Sequence, residues 1–408
     1  MTTTSRRQLL QGAAAGTALL SMPSLVFAQS AGVFRIGSLT PITGSGSTFG
    51  TGMMKAIQAA VDVVNAAGGA GGVKFEVIAE DTQTSPPAGV LAAKKLLEVN
   101  KVQAVLGTWS SGVSLAVVPL TNDANVILMN TSGAPALSVP PANAKGLSFR
   151  FQATNDRFGR AFAEVCIKEG FKRPATMAFN NASGIGNADG FKKAWEGKGG
   201  KVVAGVVYEP NQTSYRSELQ KILDANPDVI VTGSYLQDTT IIMREWYQSG
   251  VPVKWILPGW AGSPDLVKAV TAPVVEGVIS VDSVSNSGAE SYKLYDAAYQ
   301  KAMGKPGSSN VYAAMTWDMV ITLALAIAAA GKTDTDSIKA HIRAVANPPG
   351  EEVFSYEAGL AALKAGRKIN YQGASSALDF DEYGDVTPDF GVSFIEGGAI
   401  NQRYVVKI

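Results

Sequence analysis

The chain has 408 residues, 35 Lys and Arg against 34 Asp and Glu, and a net charge of +1. It is too long for a single hydrophobic core and suits two domains. Balanced charge excludes a nucleic-acid surface and a disordered acidic tail. One cysteine, Cys166, excludes an intramolecular disulfide and a Cys-based metal site. One histidine, His341, leaves almost no material for His-based catalysis or a His-cluster metal site.

The N-terminus has the composition of an export signal. Ser5-Arg6-Arg7-Gln8-Leu9-Leu10 precedes an Ala/Gly-rich apolar run to Leu20, and Val26-Phe27-Ala28 places small side chains where a signal peptidase cuts. Residues 1–28 fit a twin-arginine signal, with an ordinary secretory signal as the alternative. Removing Arg6 and Arg7, the only charges before Gln29, takes the net charge from +1 to −1. No cysteine follows the cleavage region, so a lipid anchor is not expected there. The apolar run 319–330 is too short to span a bilayer and is expected as a buried helix, leaving the mature chain soluble.

Strand and helix patterns then alternate. A strand over 31–39 opens onto a loop with Gly44, Gly46 and Gly50, and a helix over 53–65 ends at Gly68-Gly69. The glycine spacing is not G-x-G-x-x-G, and no acidic residue follows at the distance a ribose needs. These glycines therefore serve a sharp turn rather than a nucleotide. Strand 74–80 and helix 86–98 follow. Strand 102–106 then runs through Thr108-Trp109-Ser110-Ser111-Gly112 into a helix carrying Val113, Ala116, Val117 and Leu120, and strand 126–129 ends in Asn130-Thr131-Ser132-Gly133. After a strand-like stretch at 146–152 the pattern restarts. Strands are expected at 175–179, 201–208, 228–232, 255–257 and 274–281, with helices at 158–169, 189–198 and 214–225 and another running to 248. The last third holds helices at 291–303, 312–330 and 337–345, then strands at 390–396 and 404–408, too little for a third domain. The whole reads as α/β, with parallel sheets covered by helices on both faces.

Two successive strands thus end in hydroxyl-rich, Gly-containing turns, which in a parallel sheet share the carboxyl edge where ligands bind. Ser110 and Ser111 stand at a helix start, where free N–H groups and the dipole favour an anion. They suit either a carboxylate site or simple N-capping. The paired carboxylates Glu80-Asp81 and Asp379/Asp381-Glu382 sit in polar turns without a partnering base. Ser110-Ser111 lacks the G-x-S-x-G elbow of a hydrolase. What remains is a set of loops with hydroxyls, aromatics and one acid, Asp238, suited to recognising a small zwitterion or polar organic molecule rather than turning it over.

Several stretches carry a family resemblance. They are I-G-x-L-T-P-x-T-G…F-G…N-A-A-G-G from Ile36 to Gly69, V-L-G-x-x-S-S-G from Val105, N-P-D-x-I-x-x-G-x-x-x-D from Asn226 to Asp238, Y-A-A…W-D from Tyr312 and L-D-F-D-E-x-G-D from Leu378. The chain resembles the periplasmic ligand-binding proteins of ABC importers, in the branch of the leucine/isoleucine/valine-binding proteins. The resemblance implies two Rossmann-like lobes of the type I periplasmic-binding-protein fold, joined by three crossovers near 152–155, 281–286 and 385–389, with the ligand in the interlobe cleft. The lobes would be 31–152 plus 285–384 and 153–284 plus 385–408.

By the same resemblance Phe49 packs on the ligand, and Ser111 holds a carboxylate with help from N–H groups of Thr131, Ser132 and Gly133. Asp238 takes an α-ammonium. Gly133 stands where the family has Thr, so Thr131 or Ser132 must supply any hydroxyl. Ile185 replaces an aromatic, and Ser214 replaces an Asp before Tyr215. Tyr235 and Trp260 either line the pocket or belong to core and surface. The implied function is a monomeric, periplasmic binding protein that hands an amino acid or related carboxylate to an inner-membrane ABC permease, without cofactor, metal or catalytic residue. A sensory module docking on a receptor and an exported hydrolase are the alternatives.

Overall fold

The computed structural model describes residues 32–408; the export signal expected over 1–28 lies outside them. The first part runs β1 (Val33–Thr40), α1 (Ser47–Ala66), β2 (Lys74–Asp81), α2 (Pro86–Lys94), β3 (Ala104–Thr108), α3 (Ser111–Asp123), β4 (Ile127–Asn130) and β5 (Ser148–Arg150). The second runs α4 (Asn155–Lys168), β6 (Pro174–Phe179), α5 (Ala182–Gly197), β7 (Gly205–Tyr208), α6 (Arg216–Leu223), β8 (Val229–Gly233), α7 (Leu236–Ser249), β9 (Lys254–Pro258), α8 (Pro264–Val270), α9 (Ala272–Val275) and β10 (Ile279–Ser283). The tail adds α10 (Glu290–Met303), α11 (Val311–Ala330), α12 (Thr335–Ala346), β11 (Glu351–Val353), α13 (Tyr356–Lys364), β12 (Ile369–Tyr371), β13 (Phe390–Glu396) and β14 (Ala399–Val406).

Two sheets organise these elements. The first is parallel, in the order β2-β1-β3-β4-β5. The second has the order β14-β13-β10-β9-β8-β6-β7, parallel from β7 to β10, with β13 and β14 added antiparallel at one edge. The five parallel strands of each sheet repeat one order, second-first-third-fourth-fifth. Each sheet therefore has its reversal of strand order beside its first strand, which is where an open α/β sheet leaves a crevice at its carboxyl edge.

Burial explains why these segments form these elements. Every residue of β3 and β4 is buried, so both read as unbroken apolar runs, as strands covered on two faces do. Helix α1 buries Met53, Ile57, Ala60, Val61 and Val64, spaced three and four apart on one stripe, and ends where Gly68 and Gly69 take positive φ. Helix α11 is buried from Tyr312 to Ile327. At 20 residues it is long and apolar enough to cross a membrane, unlike the shorter run expected from sequence. It packs instead on α1, α12 and α13 as the central helix of the first layer.

The chain passes between the sheets at 151–154, 284–289 and 386–389. These passages lie side by side: Ser283 Oγ donates to Gln152 Oε1, and the Val284 N–H donates to the Asp389 carbonyl at 2.9 Å. Some local expectations shift. The strand expected over 274–281 begins only at Ile279, because Pro273 starts a helical turn that buries Val274 and Val275. A short apolar run does not distinguish the two. On α3 the fully buried face includes Val113, Ser114, Val117 and Val118; Leu120 packs half-buried against the same core, and Ala116 is half-buried. Ser114 is accommodated there because its hydroxyl bonds Thr108 Oγ1 at 2.8 Å. The helix α13 and the small parallel pair β11–β12 lack a clear sequence signal.

Candidate functional site

A cavity lies at the carboxyl ends of both sheets. From the first come Trp109 and Ser111 after β3, Thr131 and Gly133 after β4, and Gln152 after β5, joined by Tyr312 at the start of α11. Facing them are Asn155 and Phe158 on α4, Ser183 on α5, Tyr235 before α7 and Trp260 after β9. All are buried. The volume is about 20 Å³, little more than a single water needs, so the two walls rest against each other.

Five aromatic rings form most of the wall, and they brace one another. Trp109 meets Tyr235 at a centroid distance of 5.0 Å and Tyr312 at 5.8 Å, and Trp260 meets Phe158 edge-on at 5.1 Å. The Trp260 indole N–H donates to the Ser234 carbonyl at 3.0 Å, which fixes that ring. Edge and tilted contacts of this kind add about 0.5–1.5 kcal/mol each beyond area burial. Burial raises the Tyr235 hydroxyl above the ordinary phenol range and the Tyr312 hydroxyl well above it, so both remain neutral donors.

The polar part consists of hydroxyls and backbone N–H groups. Helix α3 begins at Ser111, and the first N–H groups of a helix have no partner within it. Thr131 N–H donates to the Thr108 carbonyl at 2.9 Å and Ser132 N–H to Asn130 Oδ1 at 3.0 Å, so these two are committed. The Gly133 N–H has no protein acceptor among the described residues. A Cβ at Gly133 would meet the Asn155 side-chain amide, which would have to move to admit it. Among the described residues, no ionised side chain lines the cavity.

Ser111, Thr131, Gly133, Tyr235 and Trp260 thus line the cavity; Phe49, Ser110, Ser132, Ile185 and Asp238 do not. Phe49 stands behind the wall, 5.5 Å from Trp109 and 5.0 Å from Tyr312. The Ser132 hydroxyl is turned inward to the Trp109 carbonyl at 3.0 Å and to Ser114. Ser110 stands at the N-cap position of α3 without a side-chain capping bond, and its hydroxyl meets that of Tyr235 at 3.5 Å. Ile185 is 36% exposed on α5. Asp238 Oδ1 accepts from Tyr215 Oη at 2.7 Å and the Asn211 N–H at 3.0 Å, which secures the loop before α6. Burial raises its pKa, and the two hydrogen bonds only partly offset this. Asp238 was expected to take an ammonium; here its Oδ1 is bonded to Tyr215 and Asn211, and the residue does not line the cavity. Trp109, Gln152, Asn155, Phe158, Ser183 and Tyr312 were not among the expected site residues. Trp109 sits in the turn already singled out and Gln152 and Asn155 in the first passage, but nothing local marks Phe158 or Ser183.

The model of the periplasmic binding protein family matches residues 33–358. The chain belongs to that family. It is 29% identical over 222 residues to Leu/Ile/Val-binding protein homolog 3 of Brucella melitensis, a match covering 53% of this chain and 58% of that protein. A leucine binding protein of Thermotoga maritima superposes with a TM-score of 0.78 at 22% identity, over 92% of this chain and 99% of that one. A solute binding protein of an ABC transporter from R. palustris, solved with benzoate, superposes with a TM-score of 0.72 at 20% identity, over 92% and 96%. The fold is that of the two-lobed type I periplasmic binding proteins, and its relatives are named as binding proteins.

Proposed function

We propose that this chain is an extracytoplasmic solute-binding protein that captures a small aromatic carboxylate and delivers it to an ABC permease. One observation carries the ligand class: five aromatic rings and an uncharged anion cradle line the cavity, while Asp238 is committed to Tyr215 and Asn211. An amino acid needs an acceptor for its ammonium, because an unpaired buried charge is costly. A benzoate-like acid needs only a cradle at one end and flat apolar walls around the ring. The R. palustris protein solved with benzoate shares the fold, and membership of the periplasmic binding protein family supports capture outside the cytoplasm. Because the cavity is so small, entry requires the lobes to part about the three passages, as in hinge closure around a ligand.

The test is a thermal-shift and calorimetric panel on protein unfolded, dialysed and refolded to strip carried-over ligand. A ligand at a hundredfold excess over its Kd adds about 2.7 kcal/mol to stability. Benzoate and hydroxybenzoates are expected to raise Tm, and leucine to leave it unchanged. A shift with leucine and none with the benzoates overturns the aromatic assignment.

A further inference from the structure

Arg150 ends β5 behind the anion cradle, and its side chain is 1% exposed. Its Nη1 donates to the Ser132 carbonyl, and Nη2 donates to the Ala134 carbonyl at 2.9 Å and to Ser138 Oγ at 2.6 Å. Its Nε donates to Asp385 Oδ1 at 2.9 Å. The Ser138 hydroxyl also meets both Asp385 oxygens, at 2.8 and 2.7 Å. Burying this pair carries a heavy desolvation cost, and an apolar pair would fill the space. The arrangement therefore points to a task beyond packing.

That task follows from peptide geometry. A trans peptide points its C=O and N–H in opposite directions. The Ser132 carbonyl faces Arg150, so the N–H of Gly133 in the same peptide faces away, towards the cavity that Gly133 lines. Among the described residues it is the one N–H of 131–133 without a protein acceptor. The two Nη groups face the loop while Nε faces Asp385, so the positive end of the pair is directed at the cradle. Asp385 belongs to the chain entering the third passage: Arg150 N–H donates to the Gly384 carbonyl at 2.8 Å, and Val386 N–H donates to Arg150 O at 3.3 Å.

We propose that Arg150 is a positioning residue for the ligand carboxylate: it holds the Gly133 N–H on the anion, supplies positive potential from behind, and ties the cradle to the third passage between the lobes. This rests on the reading of the cleft as a carboxylate site. The guanidinium never touches the ligand. It acts through the polarised 132–133 peptide, and hydrogen bonds in series strengthen one another.

The experiment compares benzoate with benzamide, its neutral isostere, on wild-type protein and two variants by calorimetry. Arg150→Met is expected to weaken benzoate at least tenfold and benzamide less than threefold. Asp385→Asn, which leaves the guanidinium uncompensated, is expected to keep the benzoate-to-benzamide preference at or above that of wild type. A purely structural role lowers both ligands alike in both variants, and that result overturns the proposal. If Arg150→Met does not fold, Arg150→Lys takes its place. An ammonium does not span the two carbonyls and Asp385, so benzoate must again lose more than benzamide, and an unchanged ratio overturns the proposal. Wild-type protein that binds leucine but not benzoate refutes the aromatic reading alone, and leucine against leucinamide then tests Arg150 by the same ratio. Wild-type protein that binds no carboxylate refutes both.

Discussion

The indole of Trp109 and the ring of Tyr235 lie 5.0 Å apart, tilted by 32°, the first carried by the loop after β3 and the second by the loop after β8. The two sheets therefore touch through side chains that line the cavity. Trp109→Ala removes the ring that also braces Phe49 and Tyr312. It is expected to lower benzoate affinity at least tenfold in calorimetry and to cost about 3 kcal/mol or more in stability.

Ser111 is the first residue of α3 and lines the cavity beside the free helix N–H groups. A hydrogen bond to a charged group contributes about 1.5–3 kcal/mol. Ser111→Ala should therefore weaken a bound carboxylate by roughly ten- to a hundredfold, with Tm of the ligand-free protein nearly unchanged. Equal binding by the variant would place the anion elsewhere.

Asp238 makes the opposite prediction. Its Oδ1 accepts from Tyr215 and Asn211, so its loss acts on folding. Asp238→Asn should lower stability by about 1–3 kcal/mol and change benzoate affinity less than twofold. Chemical denaturation and calorimetry on one preparation separate the two effects. A large affinity loss at unchanged stability would restore Asp238 as a ligand contact.

Two buried aspartates with large upward shifts give the protein a pH response. Burial pushes the Asp282 carboxyl from 3.8 up to about 7, opposed only by the Ser283 N–H. Burial likewise pushes Asp318 up to about 6, against hydrogen bonds from Ser375, Ala374 and Tyr371. The folded state then holds these protons more tightly than the unfolded chain. Stability from both groups is complete below about pH 4 and falls as pH rises, until about 6 for Asp318 and about 7 for Asp282. Tm is therefore expected to decline across pH 4–7. Asp282→Asn should flatten the decline between 6 and 7, and Asp318→Asn should leave that upper part intact.

Much of the fold was legible because its signals are local. Unbroken apolar runs such as β3 and β4 mark strands buried on two faces, and the stripe of Met53, Ile57, Val61 and Val64 marks a helix on a core. The turns after β3 and β4 announced Ser111, Thr131 and Gly133 through their hydroxyls and glycines. Pro273 and the short run after it were ambiguous because four apolar residues suit a helical turn as well as a strand.

The alternation of strands and helices and the small polar turns after β3 and β4 can be read along the chain, since periodicity and turn chemistry depend only on neighbouring residues. Tertiary structure alone decided which groups face the cavity. Phe158, Ser183 and Tyr312 reach it from separate segments, and Asp238 is withdrawn from it by Tyr215, 23 residues before it in the chain. A buried carboxylate binds whichever donors the fold brings within reach. Its role is set by contacts between distant segments, which no local pattern records.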